Sequence, residues 1–334
     1  MTETRIHGRG LAGTSALAIA TLALATLAAP SAMAADVPFR IGIIEQQLAN
    51  PFFGKLEQAA VATAKEHGLD TMAAESSVAG DSATQVNAVE NMINRGVKGI
   101  VLDPASAFAL VDAVKKARAA GIVVVTTNTS LEPATAADAS YETNNLAGGE
   151  LIGRWAKARL GSGKPRIALL DYDLSDKTAK ARHDGFLKGF GIAEGASEIA
   201  GTALTQANVE TGQSAMENLL SAHPDINVLY TINEPAAQGA YLPIKKSKRD
   251  VIVTSIDGSC SGVRSVADGT IGATVMQFPS NMGKMAVEAI VKAVGGGEKP
   301  NGVINSGTVL ITDHPVDGID SKDSKWGLAN CWGE

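Results

Sequence analysis

The chain has 334 residues, a net charge of −6, 45% hydrophobic residues and only 4% aromatics. That length favours two domains with real cores over one, and a mild, well-mixed acidity argues against nucleic acid or an anionic membrane surface as partner. Scarce aromatics beside 35 glycines suit α/β packing with many strand-to-helix turns better than an all-β sandwich.

In chain order, Arg5, His7 and Arg9 precede an Ala/Leu-rich apolar run, then Pro30 and Ala32-Met33-Ala34. The run approaches membrane-spanning length, but the proline break and the small-residue A-x-A site predict a secretory signal, 1–34, cleaved after Ala34, and hence a periplasmic protein. No cysteine near the site offers a lipid anchor, and no later segment is apolar enough to span a bilayer. Short apolar runs then alternate with amphipathic ones. Strands are expected at 39–44, 70–76, 98–104 and 122–128, with helices near 53–67, 82–96 and 107–119. The pattern restarts with a helix over "NNLAGGELIGRWAKARL", strands at 166–172, 198–204, 227–233 and 250–257, and helices between them. Strands this short, apolar on both faces, mark parallel sheets covered by helices.

The late segments "IGATVMQF" (271–278), "NMGKMAVEAIVKAVGGG" and "INSGTVLITDHPV" could cross back between halves. The expectation is an α/β fold of two similar doubly wound parallel-sheet lobes joined by a three-segment hinge. One lobe would take 35–142 plus about 277–307, the other 143–276 plus about 308–334. A ligand would sit in the cleft between them.

In open parallel sheets, ligands meet the loops beyond the carboxyl ends of the strands. Those loops carry Gln46, Gln47, Asn50, Phe52 and Phe53; Asn128 and Thr129; Asp171, Tyr172 and Asp173, with Arg182 on the helix beyond; Asn233 and Glu234; Asp257; and Gln277. Amides, carboxylates and a guanidinium suit hydroxyls, which donate and accept at once. Flat aromatic faces suit the apolar C–H faces of a sugar ring. Each residue also has a plainer role. Asn50 and Pro51 suit a helix start, Asp257-Gly258 suits a turn, and Phe52 and Phe53 suit a core.

"GSCSG" (258–262) has the shape of a nucleophile elbow with Cys260 in the nucleophile's place, and His314 stands downstream as a formal base. A secreted cysteine hydrolase is therefore an alternative. Against it, Cys260 and Cys331 are the only cysteines, and an exported chain with two predicts a disulfide, which removes the thiolate. "GSGKP" lacks the phosphate-loop spacing. The histidines at 7, 67, 183, 223 and 314 are scattered, and no metal site or cofactor is expected.

Over about 38–312 the chain resembles the periplasmic sugar-binding proteins of bacterial ABC transporters, the ribose-binding-like group of type I folds. "ANPFFGKLEQAA" resembles that family's opening motif, in which the Asn and the aromatic pair touch the sugar. "ARHDGFLKGF" is similar to its Arg-bearing helix. "INVLYTINEPAAQGAY", "VIVTSIDGSCSGV" and "IGATVMQFP" resemble the segments holding a ligand-binding Asn, Asp and Gln. The resemblance implies ligand roles for Asn50, Phe52, Phe53, Arg182, Asn233, Asp257 and Gln277. "TINEPAAQGAY", the Cys in "SIDGSCSGV" and the tail "LANCWG" look most like the fructose-binding branch, which likewise pairs cysteines near these positions.

Three departures from the ribose pattern stand out. Neutral Asn128-Thr129 replaces an Asp-Arg pair, "TQANVE" offers Asn208 where a second-lobe aromatic would be, and Asp173 replaces an apolar residue. A ketohexose such as fructose, or a related polyol, is therefore expected rather than ribose. The resemblance implies a monomeric, non-enzymatic capture protein that delivers its sugar to a membrane permease. A receptor for a chemotaxis or sensor partner remains an alternative. A sugar-responsive repressor would need a DNA-binding N-terminus where the signal stands.

Overall fold

The computed structural model describes residues 39–333 except 77 and 79. The expected signal segment and its cleavage site lie outside the described residues. The first sheet is built from β1 (Arg40–Glu45), β2 (Asp70–Glu75), β3 (Gly99–Leu102), β4 (Val123–Thr127) and β5 (Ala139–Glu142), interleaved with α1 (Pro51–Glu66), α2 (Ser82–Asn94) and α3 (Val111–Ala119). After α4 (Asn145–Leu160) comes the second sheet: β6 (Ile167–Asp171), β7 (Ile199–Leu204), β8 (Val228–Thr231), β9 (Ile252–Asp257) and β10 (Ala273–Gln277). Its helices are α5 (Lys177–Phe190), α6 (Val209–Ala222), α7 (Glu234–Ser247) and α8 (Cys260–Ala267). The chain ends with α9 (Pro279–Val294), β11 (Val303–Asn305), β12 (Thr308–Ile311) and α10 (Ser324–Asn330).

The orders are β11-β5-β4-β3-β1-β2 and β12-β10-β9-β8-β6-β7. Every pairing is parallel except β10 with β12. These are the two doubly wound lobes that the double-faced apolar strands predict. In β3 and β4 every residue is buried, as helices on both faces require.

The chain passes between the lobes three times. It leaves β5 for α4, leaves β10 for α9, and leaves β11 for β12. The second passage has the largest effect on packing. α9 comes from the second sheet but buries Met282, Ala286 and Ile290 in one core with Ile41, Ile43 and Leu56 of the first lobe. Gly99 in β3 makes room for it, since a Cβ there would stand 2.2 Å from the Ile290 side chain.

Three local readings differ. β5, "ASYE", lies beyond the last strand expected in the first half, because four residues rich in Ala and Ser carry no apolar signature. α3 starts at Val111, not near 107, because the Ser106 hydroxyl accepts from Phe108 N and Ala109 N and holds a turn there. α10 was not foreseen.

In the second lobe, α4 and α5 meet backbone to backbone along Gly149, Gly153, Gly185 and Gly189. A Cβ on Gly149 would lie 2.2 Å from Arg182 O, and one on Gly153 2.3 Å from Phe186 O. This seam sets the height at which Arg182 leaves α5. Gly149→Ala is expected to cost about 1–3 kcal/mol or more, because the backbone has nowhere to move. Chemical denaturation read by fluorescence and circular dichroism checks it.

Candidate functional site

The carboxyl ends of both sheets carry polar side chains, and local capping explains many of their positions. Asn50 caps α1, with its Oδ1 accepting from Phe52 N at 3.0 Å, and Pro51 starts the helix. Phe52 turns inward and is 6% exposed in the first-lobe core. Phe53 is half-buried and meets it edge to face, with centroids 5.5 Å apart. Asn233 caps α7: its Oδ1 accepts from Ala236 N, and its Nδ2 donates to Ala207 O at 2.9 Å. Asn208 caps α6 and is exposed. Asp173 is exposed and accepts from Ser175 N, and this bond with the Ser175 hydroxyl holds its carboxyl below the ordinary value.

Arg182, Asp257 and Gln277 meet in one network at the ends of β8, β9 and β10. Arg182 is 7% exposed. Its Nε donates to Asn145 Oδ1 at 2.9 Å and an Nη to Ile232 O at 3.1 Å, and it stands 3.8 Å from Asp257 Oδ1. Asp257 Oδ1 accepts from Gln277 Nε2 at 3.1 Å, and Oδ2 accepts from Glu234 N at 3.3 Å. Gln277 Oε1 accepts from the Thr143 hydroxyl at 2.9 Å. That last bond joins two of the three interlobe passages. Burial, then the neighbouring Glu234 carboxyl, raises Asp257 to about 7, while Arg182 pulls the other way. Burial likewise raises Glu234, although Thr274, Gly258 and Ser259 all donate to it.

In the first lobe the centre is Asp103, just beyond β3, which is absent from the residues expected from sequence. Its Oδ1 accepts from Gln46 Nε2 at 3.0 Å and from Asn128 Nδ2 at 3.4 Å. Burial raises it to about 7 against the pull of both amides. Asn128 has φ 59°, in the left-handed region that Asn tolerates better than most residues. Burial, then Asp103, raises Glu45. Glu45 and Asp103 have no basic side chain bonded to them among the described residues.

The structure thus joins Arg182, Asp257 and Gln277 directly, with Asn233 one residue from the Ile232 and Glu234 contacts. It puts Asn128 with Asp103 in the other lobe. Among the described residues, no hydrogen bond or ion pair links Asn50, Asp173 or Asn208 to either group. Asn145, Thr143 and Asp103 escaped sequence reasoning; for Asp103 the signal was its position directly after β3, and Glu234 stood among the loop residues without an assigned ligand role. The lobes touch where Lys177 Nζ donates to Ser130 Oγ at 3.0 Å and pairs with Glu132 at 3.3 Å. A cavity of about 340 Å³ opens beside the passages, lined among others by Glu142, Thr143, Asn145, Lys177 and Asn305.

Cys260 is bonded to Cys331. The thiolate that a cysteine hydrolase would need is therefore consumed.

A carboxyl raised in the folded state binds its proton more tightly there than in the unfolded chain, where an aspartate titrates near 3.8. Between about pH 4 and 7 the folded protein then holds more protons, so stability falls as pH rises through that window. Asp257→Asn is expected to flatten this slope, and Asp103→Asn to flatten it further. Denaturant midpoints from pH 4 to 8 for wild type and variants check it.

The comparisons with known proteins agree with this architecture. The periplasmic binding protein domain matches residues 41–299. The chain is 31% identical over 262 residues to the ribose import binding protein of Bacillus subtilis (strain 168), covering 78% of this chain and 84% of that one. It is 34% identical over 275 residues to the D-apiose import binding protein of Paraburkholderia graminis, covering 82% and 85%. The crystal structure of an ABC transporter solute-binding protein from Mycobacterium smegmatis with bound glycerol superposes with a TM-score of 0.76 at 29% identity, covering 89% of this chain and all of that one. These relatives are solute-binding proteins, not enzymes. The chain belongs to the periplasmic binding protein family, with the type I fold.

Proposed function

We propose that this protein captures one monosaccharide in the cleft between its lobes and delivers it to the permease of an ABC importer. The observation that carries the reading is the buried network in which Arg182 of α5 reaches Ile232, Asp257 and, through Asp257, Gln277 at the ends of three strands, tied through Thr143 to a passage between lobes. A guanidinium and a carboxyl held in this way can bond adjacent hydroxyls from opposite senses, one donating and one accepting. The names of the relatives, a ribose import binding protein and a D-apiose import binding protein, support a sugar as the ligand.

In this reading Phe53 offers a ring face to the sugar and Phe52 backs it, while Asn50, Asn128, Asp173, Asn208 and Asn233 bond hydroxyls or frame the cleft. The lobes move as bodies of 35–142 plus about 277–307 and 143–276 plus about 308–334. The closed form contacts the sugar better than the open one and is populated for that reason. The protein works as a monomer in the periplasm, and its mature chain starts at Ala35. Intact mass of the exported protein checks that start; a mass retaining 1–34 would refute it.

A ketohexose such as fructose is the proposed sugar. Its support is the resemblance of the "SIDGSCSGV" segment and the "LANCWG" tail to the fructose-binding branch, with the neutral Asn128-Thr129 pair. Thermal shift against D-fructose, D-ribose, D-apiose and polyols tests the choice, because stabilisation follows the ratio of concentration to dissociation constant. D-fructose is expected to give the largest shift, and a larger shift with a pentose reassigns the sugar. Asp257→Ala and Arg182→Ala are each expected to weaken binding by at least about a hundredfold by calorimetry. Unchanged affinity in both refutes the site.

A further inference from the structure

The C-terminal tail belongs to one lobe and ends in the other. α10 seats on the second lobe, where Gly327 faces Val263 and Ile311 so closely that a Cβ would come within 2.8 and 3.0 Å of them. The bond between Cys331 and Cys260 fastens the next residue to α8. Cys260 N donates to Trp332 O at 2.9 Å, and Ser259 and Trp332 form a parallel bridge.

Beyond that anchor the tail leaves its lobe. Trp332 is 5% exposed and lies in the first-lobe core with Phe52, Leu56 and Met282. Its ring meets Phe52 edge to face, with centroids 5.4 Å apart at 79°. A Cβ on Gly333 would stand 2.8 Å from Pro51 Cβ. Three rings therefore run in sequence, Phe53 on Phe52 on Trp332. The indole Nε1 donates to Gln277 O at 2.9 Å, so the tail also touches the residue whose amide bonds Asp257.

We propose that Trp332, held in place by the Cys260–Cys331 bond, is a positioning residue for the aromatic pair of α1 and a further non-covalent link between the lobes. The proposal deepens the sugar-binding reading and rests on it. Phe52 is too buried to offer a broad face to a ligand, and its part is to fix the plane of Phe53. Phe52 is itself fixed only if something fills the space behind its ring. Trp332 fills that space, and no other element of the second lobe supplies a ring to Phe52 among the described residues. A platform set before the sugar arrives avoids the ordering cost at binding. The disulfide limits where the indole can go, and the bond to Gln277 O sets its height.

A merely structural tail would add stability without touching affinity, so the test reads both. Hydrogen exchange of the sugar-free protein follows the amides of 54–60. Calorimetry follows D-fructose, D-ribose and D-apiose. Trp332→Ala and the double variant C260S/C331S are expected to speed exchange at 54–60 by about tenfold while 183–190 stays unchanged. They are expected to weaken whichever of the three sugars the wild type binds by about tenfold. If Trp332→Ala does not fold, Trp332→Phe carries the test. It keeps a ring and loses the bond to Gln277, with about a threefold effect expected in both readouts. Unchanged exchange at 54–60 overturns the brace whatever the sugar does. Faster exchange with affinity within about twofold of wild type leaves a structural tail and overturns the positioning role. If the wild type binds none of the three sugars, the sugar reading falls and the positioning role falls with it, while exchange alone still decides the brace.

Discussion

A buried guanidinium has to be held from several directions at once, and Arg182 is held by four elements. α5 carries it, Asn145 at the start of α4 accepts from Nε, Ile232 beyond β8 accepts from an Nη, and Asp257 at the end of β9 faces it. Leaving such a charge without partners costs far more than a hydrogen bond gains. The glycine seam between α4 and α5 is what lets the two helices approach closely enough for Asn145 to reach it. Thr143, two residues before Asn145, then bonds Gln277. Fixing one charge therefore fixes the relation between two of the interlobe passages, and the fold of the second lobe and the geometry of the cleft are one requirement.

The two lobes bury different electrostatics at the carboxyl ends of their strands. The second pairs a raised carboxyl, Asp257, with a guanidinium. The first holds the Asp103 carboxyl by the amides of Gln46 and Asn128, beside the buried Glu45, with no cation bonded to it among the described residues. A carboxyl without a cation in a low-dielectric site favours its protonated form. The second lobe therefore buries a permanent positive charge beside a raised carboxyl, and the first buries two carboxyls with no bonded cation among the described residues.

Much of this was legible in the sequence because it was local. Strands apolar on both faces announced parallel sheets, and Asp257, Gln277 and Arg182 stood at strand ends or on the helix beyond. Two cysteines in an exported chain announced their bond. The rest was set by distant partners. Asn145 acts on a residue 37 positions away, and Thr143 on one 134 away. No pattern near either residue reveals this. The aromatic pair shows the same limit. Adjacent helical residues point about 100° apart, so Phe52 and Phe53 could not share one face. Phe52 shares the buried face of α1 with Leu56 and Ala60, four and eight residues on, but the ring that packs against it, Trp332, stands 280 positions downstream.

The placement of α9 has a consequence for how the chain is made. Met282, Ala286 and Ile290 fill the first-lobe core, and the last ring against Phe52 arrives only at Trp332. Neither sheet is complete until β11 and β12 have been synthesised. A chain that stopped before α9 would lack the helix that packs Met282, Ala286 and Ile290 against the first-lobe strands. The first lobe therefore completes its core only with residues that follow nearly all of the second, and the two lobes do not close their cores independently.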